Sequence, residues 1–238
     1  MKRVSWLPAA AGTMFACAAA AASSPNLDGV WSLVQPQSLL TPADRAAIPF
    51  TDKGRALYEK HKAQVAKGDY SFDLTMMRCS SPGVPRAMLL PGPFRLFQRA
   101  DMVVTTFQWN HLNRQINLRQ GPPLLNNAPD AEFSLPTKMG TATGHWETNT
   151  LVVHTTNLSE EKTLDGLLPN SEQLEVTERF QLQGANVLKD RITITDPENY
   201  SKPWDVVLTY QRLPDNTFPF PEDICLDNKA AGKSPLPR

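Results

Sequence analysis

The stretch Thr143-Gly144-His145-Trp146-Glu147-Thr148-Asn149-Thr150-Leu151-Val152-Val153-His154-Thr155-Thr156-Asn157-Leu158 sorts polar and apolar side chains onto opposite sides of a central pair, Thr148-Asn149. Alternation with period two marks strands buried on one face, and two residues suffice to turn one strand back on the other. With that turn, Glu147 faces Thr150, Trp146 faces Leu151, His145 faces Val152 and Thr143 faces His154. His145, Glu147, Thr150 and His154 then share one side of the ribbon, and Trp146, Leu151 and Val153 share the other.

The same period runs outward in both directions. Strands are expected near Gly29–Val34, Phe94–Gln98, Met102–Trp109 and Asn113–Leu118 before the hairpin, and near Gln173–Gln183, Val187–Thr195 and Trp204–Arg212 after it. Arg99-Ala100-Asp101 and Gly184-Ala185-Asn186 are hairpin links. A meander of eight or nine antiparallel strands closes into a barrel to remove its edges, so the fold is expected to be mainly β. One N-terminal helix is expected from about Asp52 to Lys67, capped by Thr51 and stopped by Gly68, with Leu57, Tyr58, His61 and Val65 on one face. The 21 prolines against 12 glycines gather in stiff connections. Arg78–Pro93 reads as a loop whose Met88, Leu89 and Leu90 must be covered. Gln120–Met139 is expected to lie across an opening, and Glu160–Ser171, with Leu164, Leu167 and Leu168, to pack as a flap.

The N-terminus is not part of this fold. Met1-Lys2-Arg3, an apolar run and Ala20-Ala21-Ala22 before Ser23 predict an exported chain cleaved near Ala22. A competing reading makes Cys17 a lipoprotein acylation site, with Phe15 a poor fit just before it. The organisation is thus a signal peptide over 1–22, a single barrel domain over 26–228 and a disordered tail over 229–238, with no transmembrane span in the mature chain. The 24 basic and 24 acidic residues cancel, which excludes a global field for nucleic acid or a membrane surface. The mature cysteines, Cys79 and Cys225, are an even pair in an oxidising compartment and predict a disulfide; about 145 residues apart, without neighbouring ligands, they make a poor zinc site.

Candidate chemistry collects around the strands. His145, Glu147, Thr150 and His154 on one face make an acid–base cluster, a weak metal site or the wet outer side of the barrel. Phe107, Trp109 and His111 form an aromatic row ending in a histidine, as a small-molecule pocket or an ordinary core would. Glu178 puts a carboxylate in the apolar register of its strand, so it either pairs with Arg86, Arg114 or Arg191 or serves a site. Trp204 is core or pocket wall. There is no Gly-rich phosphate loop, CxxC, HExxH or G-x-S-x-G, so neither an organic cofactor nor a metal is expected, and a serine hydrolase is disfavoured.

Several blocks together resemble a large family of exported, mostly uncharacterised bacterial proteins with a lipocalin-like β-barrel appearance. They are Leu27-Asp28-Gly29-Val30-Trp31, Arg78-Cys79, Pro82-Gly83-Val84-Pro85-Arg86, Trp109-Asn110-His111, Met139-Gly140 and Gly144-His145-Trp146-Glu147. Thr150-Leu151-Val152-Val153, Ser171-Glu172, Val176-Thr177-Glu178-Arg179-Phe180 and Lys202-Pro203-Trp204 complete them. The resemblance implies the architecture and no activity. Against the family pattern, His145 stands where Arg is usual, His154 where Asp is usual, and Gln108 where an acid is expected.

Two functions follow. One is a cofactor-free lyase, isomerase or hydratase acting on a partly apolar small molecule in a barrel pocket. His111 would then be general acid or base with His154 or His145 as counterpart, and Arg114 and Arg86 would steady negative charge. Glu178 would orient a cation, and Trp109, Phe107 and Trp204 would line the site. The other is a carrier or sensor that binds an apolar ligand without turnover. A filled structural barrel would need no pocket at all.

Overall fold

The computed structural model describes residues 24–118, 135–214 and 220–236 of the 238-residue chain. The expected signal peptide, Cys17 and most of the Gln120–Met139 connection lie outside the described residues. Nine strands form one closed barrel in sequence order. They are β1 (Gly29–Leu33), β2 (Phe94–Gln98), β3 (Met102–Phe107), β4 (Asn113–Asn117), β5 (Thr141–Glu147), β6 (Thr150–Thr156), β7 (Glu175–Gln183), β8 (Val187–Thr195) and β9 (Trp204–Arg212). The ring closes where β1 pairs antiparallel with β9, Trp31 opposite Arg212 and Leu33 opposite Tyr210.

The β5–β6 hairpin has the register read from the sequence: Glu147 opposite Thr150, Trp146 opposite Leu151, His145 opposite Val152 and Thr143 opposite His154. Thr148 bears the turn with φ 55°. One joint departs from the all-antiparallel expectation, since β4 and β5 run parallel, with Ile116 opposite Ala142 and Asn117 opposite Thr143. A tight hairpin can only reverse the chain. The long connection between Asn117 and Thr141 carries it back to the starting end, as parallel pairing requires.

Inward positions alternate along each strand and build the core. Val176 and Phe180 on β7, Leu188, Ile192 and Ile194 on β8, and Trp204, Val206 and Leu208 on β9 are all buried. Fully burying such side chains contributes about 1.5–3 kcal/mol each. Phe94 packs edge-on against Tyr210, with ring centroids 4.9 Å apart.

Helix α1 (Asp52–Val65) starts where expected: the Thr51 hydroxyl accepts from Gly54 N at 3.1 Å, and Gly68 (φ 73°) follows its end. Gly54 is the contact point with the barrel. A Cβ there would sit 2.1 Å from Asn199 O, so only glycine lets the helix lie this close. Three further short helical elements were not anticipated: α2 (Leu74–Arg78), a 3-10 turn at Arg86–Leu89, and α3 (Cys225–Ala230). All are too short to show helical periodicity. The expected Cys79–Cys225 disulfide is present and ties the end of α2 to the start of α3. It is compatible with an oxidising compartment. No helix among the described residues is long and apolar enough to cross a membrane.

The flap over Glu160–Ser171 is stitched down. Leu164 and Leu168 are buried, and Ser171 binds Asp196 through both its N–H and its hydroxyl, each at 2.8 Å. His61 on α1 stacks on Phe72 and meets Leu167 O through Nδ1 at 2.7 Å. The C-terminal stretch, read from composition as a disordered tail, takes a place in the fold. Lys229 and Ala230 finish α3, and Trp109 Nε1 donates to Pro235 O at 2.9 Å.

Candidate functional site

A groove of about 460 Å³ opens beside the barrel mouth. Its walls are apolar: Leu39 from the segment after β1, Tyr70 and Met76 around α2, Leu89 from the 3-10 turn, Leu167 from the flap and Leu236 from the C-terminus. Two carboxyl groups and a guanidinium, from Asp73, Asp165 and Arg86, form its floor.

Arg86, expected to bind substrate, is fixed there by carboxylate geometry. Its Nη1 and Nη2 donate to Asp73 Oδ1 and Oδ2, both at 2.9 Å, and Nη1 also reaches Thr163 Oγ1 at 3.2 Å. Such a two-pronged, buried pair holds a guanidinium plane rigid. Asp73 in turn caps α2 by accepting from Thr75 N and Met76 N, so the helix that walls the groove is oriented by its floor. Asp165 accepts from Leu167 N and Leu168 N at 2.9 Å and from Leu40 N at 3.0 Å. Burial raises its carboxyl above the usual carboxylate range against these donors. The floor is therefore polar, with both carboxyl groups held by hydrogen-bond donors.

Above this floor the 3-10 turn stoppers the barrel. Ala87 and Met88 are buried, Tyr210 Oη donates to Met88 O at 2.9 Å, and Met88 Sδ lies 4.0 Å from Arg114 Nη1. Inside, Arg114 and Glu178 form a two-pronged pair, closed by Arg114 Nη2 donating to Thr155 Oγ1 at 2.9 Å. Of the three arginines considered as partners for Glu178, the barrel selects Arg114. Both groups sit within the interior, away from the groove. Arg114 Nε has no hydrogen-bond partner.

The three histidines do not meet. His145 and His154 lie on the outer face, about half exposed, His145 Nε2 3.3 Å from Glu147 Oε1 and His154 Nε2 3.2 Å from Glu175 Oε2. Glu147 is held below the usual carboxylate range first by Arg179 and then by His145. His111 is exposed in the β3–β4 turn. Asn110 and His111 both take positive φ there (51° and 47°), which ends the aromatic row after Trp109. Phe107 and Trp109 are buried in the core, and Trp204 packs edge-on against Tyr200 at 5.5 Å. None of these residues lines the groove.

Sequence reasoning missed Asp73 and Asp165 in the groove and Asp190 inside the barrel. Two of them left a signal. Asp73 directly precedes the helix-forming run Leu-Thr-Met-Met-Arg, as a cap does. Asp190 is an acid in the apolar register of its strand, the same oddity that singled out Glu178. Asp165 is fixed only by tertiary contacts.

Lys162, in the flap near Arg86, is a buried amine. Its Nζ makes no hydrogen bond, and burial pulls it down to about 7. In the unfolded chain the amine keeps its ordinary value of 10.5, so between about 7 and 10.5 the unfolded state binds more protons. Stability contributed by this group therefore rises with pH across that window. Lys162→Met is expected to stabilise by about 2 kcal/mol at pH 7 and to flatten the rise. Urea denaturation at pH 7 and pH 10 checks this; a less stable variant contradicts the reading.

No protein-family model and no curated protein matches the chain. Among solved structures it is similar to a point mutant of the fluorescent protein UnaG. That match has 12% identity over 79% of this chain and 97% of the other, with a TM-score of 0.33.

Proposed function

We propose that this protein binds a small, partly apolar molecule in the groove beside the barrel mouth, as a carrier or sensor without turnover. The groove itself carries the reading: its size suits a small ligand, and apolar walls over a few fixed polar groups are what such sites present. Absence of turnover is favoured because the groups that would supply acid–base chemistry and its electrostatic support are committed or dispersed. Arg86 is taken by Asp73, Arg114 and Glu178 by each other, and His111, His145 and His154 lie apart on the surface. Export of the chain and membership of the lipocalin-like family suggested by its sequence blocks belong to the same reading. Both fit a protein that meets its ligand outside the cytoplasm.

Leu39 offers the cleanest test, because it lines the groove yet is 44% exposed, so a larger side chain can enter without disturbing the core. Native mass spectrometry of the purified protein, followed by solvent extraction, should find a one-to-one small-molecule adduct released chemically unchanged. Leu39→Trp should reduce its occupancy at least about tenfold, the loss of roughly 1.4 kcal/mol of binding. Equal occupancy in both proteins would place the ligand elsewhere, and release of a converted product would restore the enzyme reading.

A further inference from the structure

The barrel interior holds two carboxyl groups and one guanidinium. Across the β7–β8 ladder Glu178 is opposite Ile192 and Phe180 is opposite Asp190, so the two acids are diagonal neighbours on the inward face. Across β8–β9, Asp190 is opposite Leu208 and Tyr210 is opposite Leu188. Arg114 spends Nη1 and Nη2 on Glu178 and Thr155, and Tyr210 directs its hydroxyl to Met88 O. Asp190 is left over. It is fully buried, no side chain hydrogen-bonds either oxygen, and the inward residues around it, Leu188, Ile192, Phe180 and Leu208, are apolar.

A fully buried carboxyl without a side-chain hydrogen bond calls for a specific role. We propose that Asp190 is the anchor of an internal site for an ammonium ion. This site is separate from the groove. The charge count sets the sign: with Glu178 neutralised by Arg114, one further negative charge can be met by one small cation. The coordination favours ammonium over a divalent metal, which would demand several oxygens. Both oxygens of Glu178 are engaged, and no group of three or more metal-ligating side chains occurs among the described residues. An ammonium group needs only a counter-charge and a few acceptors.

A proton is the competitor for this carboxyl. Glu178 from β7, Arg114 from β4 and Tyr210 from β9 face Asp190, and burial followed by the Glu178 charge raises its carboxyl well above the usual range. Ammonium and the proton then compete for one carboxylate, so the site fills more readily at pH 8 than at pH 6.

Thermal unfolding in ammonium chloride against tetramethylammonium chloride at equal ionic strength tests this. Ammonium at several times its dissociation constant should raise the midpoint by about 3 °C at pH 8 and less at pH 6. Asp190→Asn copies the shape of the neutral acid and should abolish the difference between the two salts. Infrared difference spectra of the unaltered protein supply a readout independent of that variant: the protonated-carboxyl band should fade as ammonium is added. Equal midpoints in the two salts, an ammonium effect that survives in Asp190→Asn, or an unchanged carboxyl band would each overturn the proposal.

Discussion

Arg114→Met is expected to lower the free energy of unfolding by about 3–5 kcal/mol, read as a shifted urea midpoint at unchanged slope. The size follows from what remains rather than from what is removed. Arg114 and Glu178 are both shielded from solvent almost completely, with side-chain exposures of 1% and 0%. With the guanidinium gone, Glu178 is left buried without its counter-ion, next to a second carboxyl on Asp190, and Thr155 loses the donor that its hydroxyl accepts from. The pair itself contributes much less than its rupture costs, because taking both ions out of water offsets most of their attraction. Arg114→Met combined with Glu178→Leu is therefore expected to recover at least half of the loss. A single variant costing under about 1 kcal/mol would mean that water reaches Glu178 and that the interior is not sealed.

This pair also marks how far the sequence could be read. Glu178 announced itself because Val176 and Phe180 flank it in the apolar register, and a buried carboxylate demands a cation. Which arginine answered could not be settled, since that choice depends on how the barrel closes around β4 and β7. The β5–β6 register was legible because a two-residue turn leaves a single pairing. That the side with His145 and His154 is the outer one was not legible, for Val152 stands among them as an apolar residue and a polar row suits a site as well as a wet outer face. Strand direction at β4–β5 was hidden for a related reason: alternation is the same in parallel and antiparallel pairs. Of the groove, only Arg86 was anticipated. Its walls come from segments around residues 36–39, 65–76, 86–91, 165–167 and 234–236, which have no shared period and meet only after the barrel forms.

Removing the disulfide by Cys79→Ala with Cys225→Ala is expected to cost about 4–5 kcal/mol, since the bond closes a very long loop. The two sulfurs join positions 146 apart, so in the unfolded chain the bond restrains almost all of the barrel sequence. A local consequence comes with it. Residues 220–236 follow the last strand and are held otherwise by a limited set of contacts. Asn110 N donates to Asp223 O, Asn110 Oδ1 accepts from Cys225 N, Lys229 Nζ reaches Met77 O, and Trp109 Nε1 reaches Pro235 O. Most of these are neutral hydrogen bonds contributing only about 0.5–1.5 kcal/mol each, so the covalent link is the strongest single attachment. Cutting it should release the C-terminal segment before the barrel unfolds, taking Ser234 and Leu236 out of the groove wall. Urea curves with and without reductant read the global term, and limited proteolysis followed by mass spectrometry reads the local one, as cleavage within 226–236 at urea concentrations where the barrel is intact. A midpoint shift worth less than about 1 kcal/mol would show that the unfolded chain is already compact enough for the link to restrain little. Protection of residues 226–236 after reduction would show that the non-covalent contacts alone seat the segment.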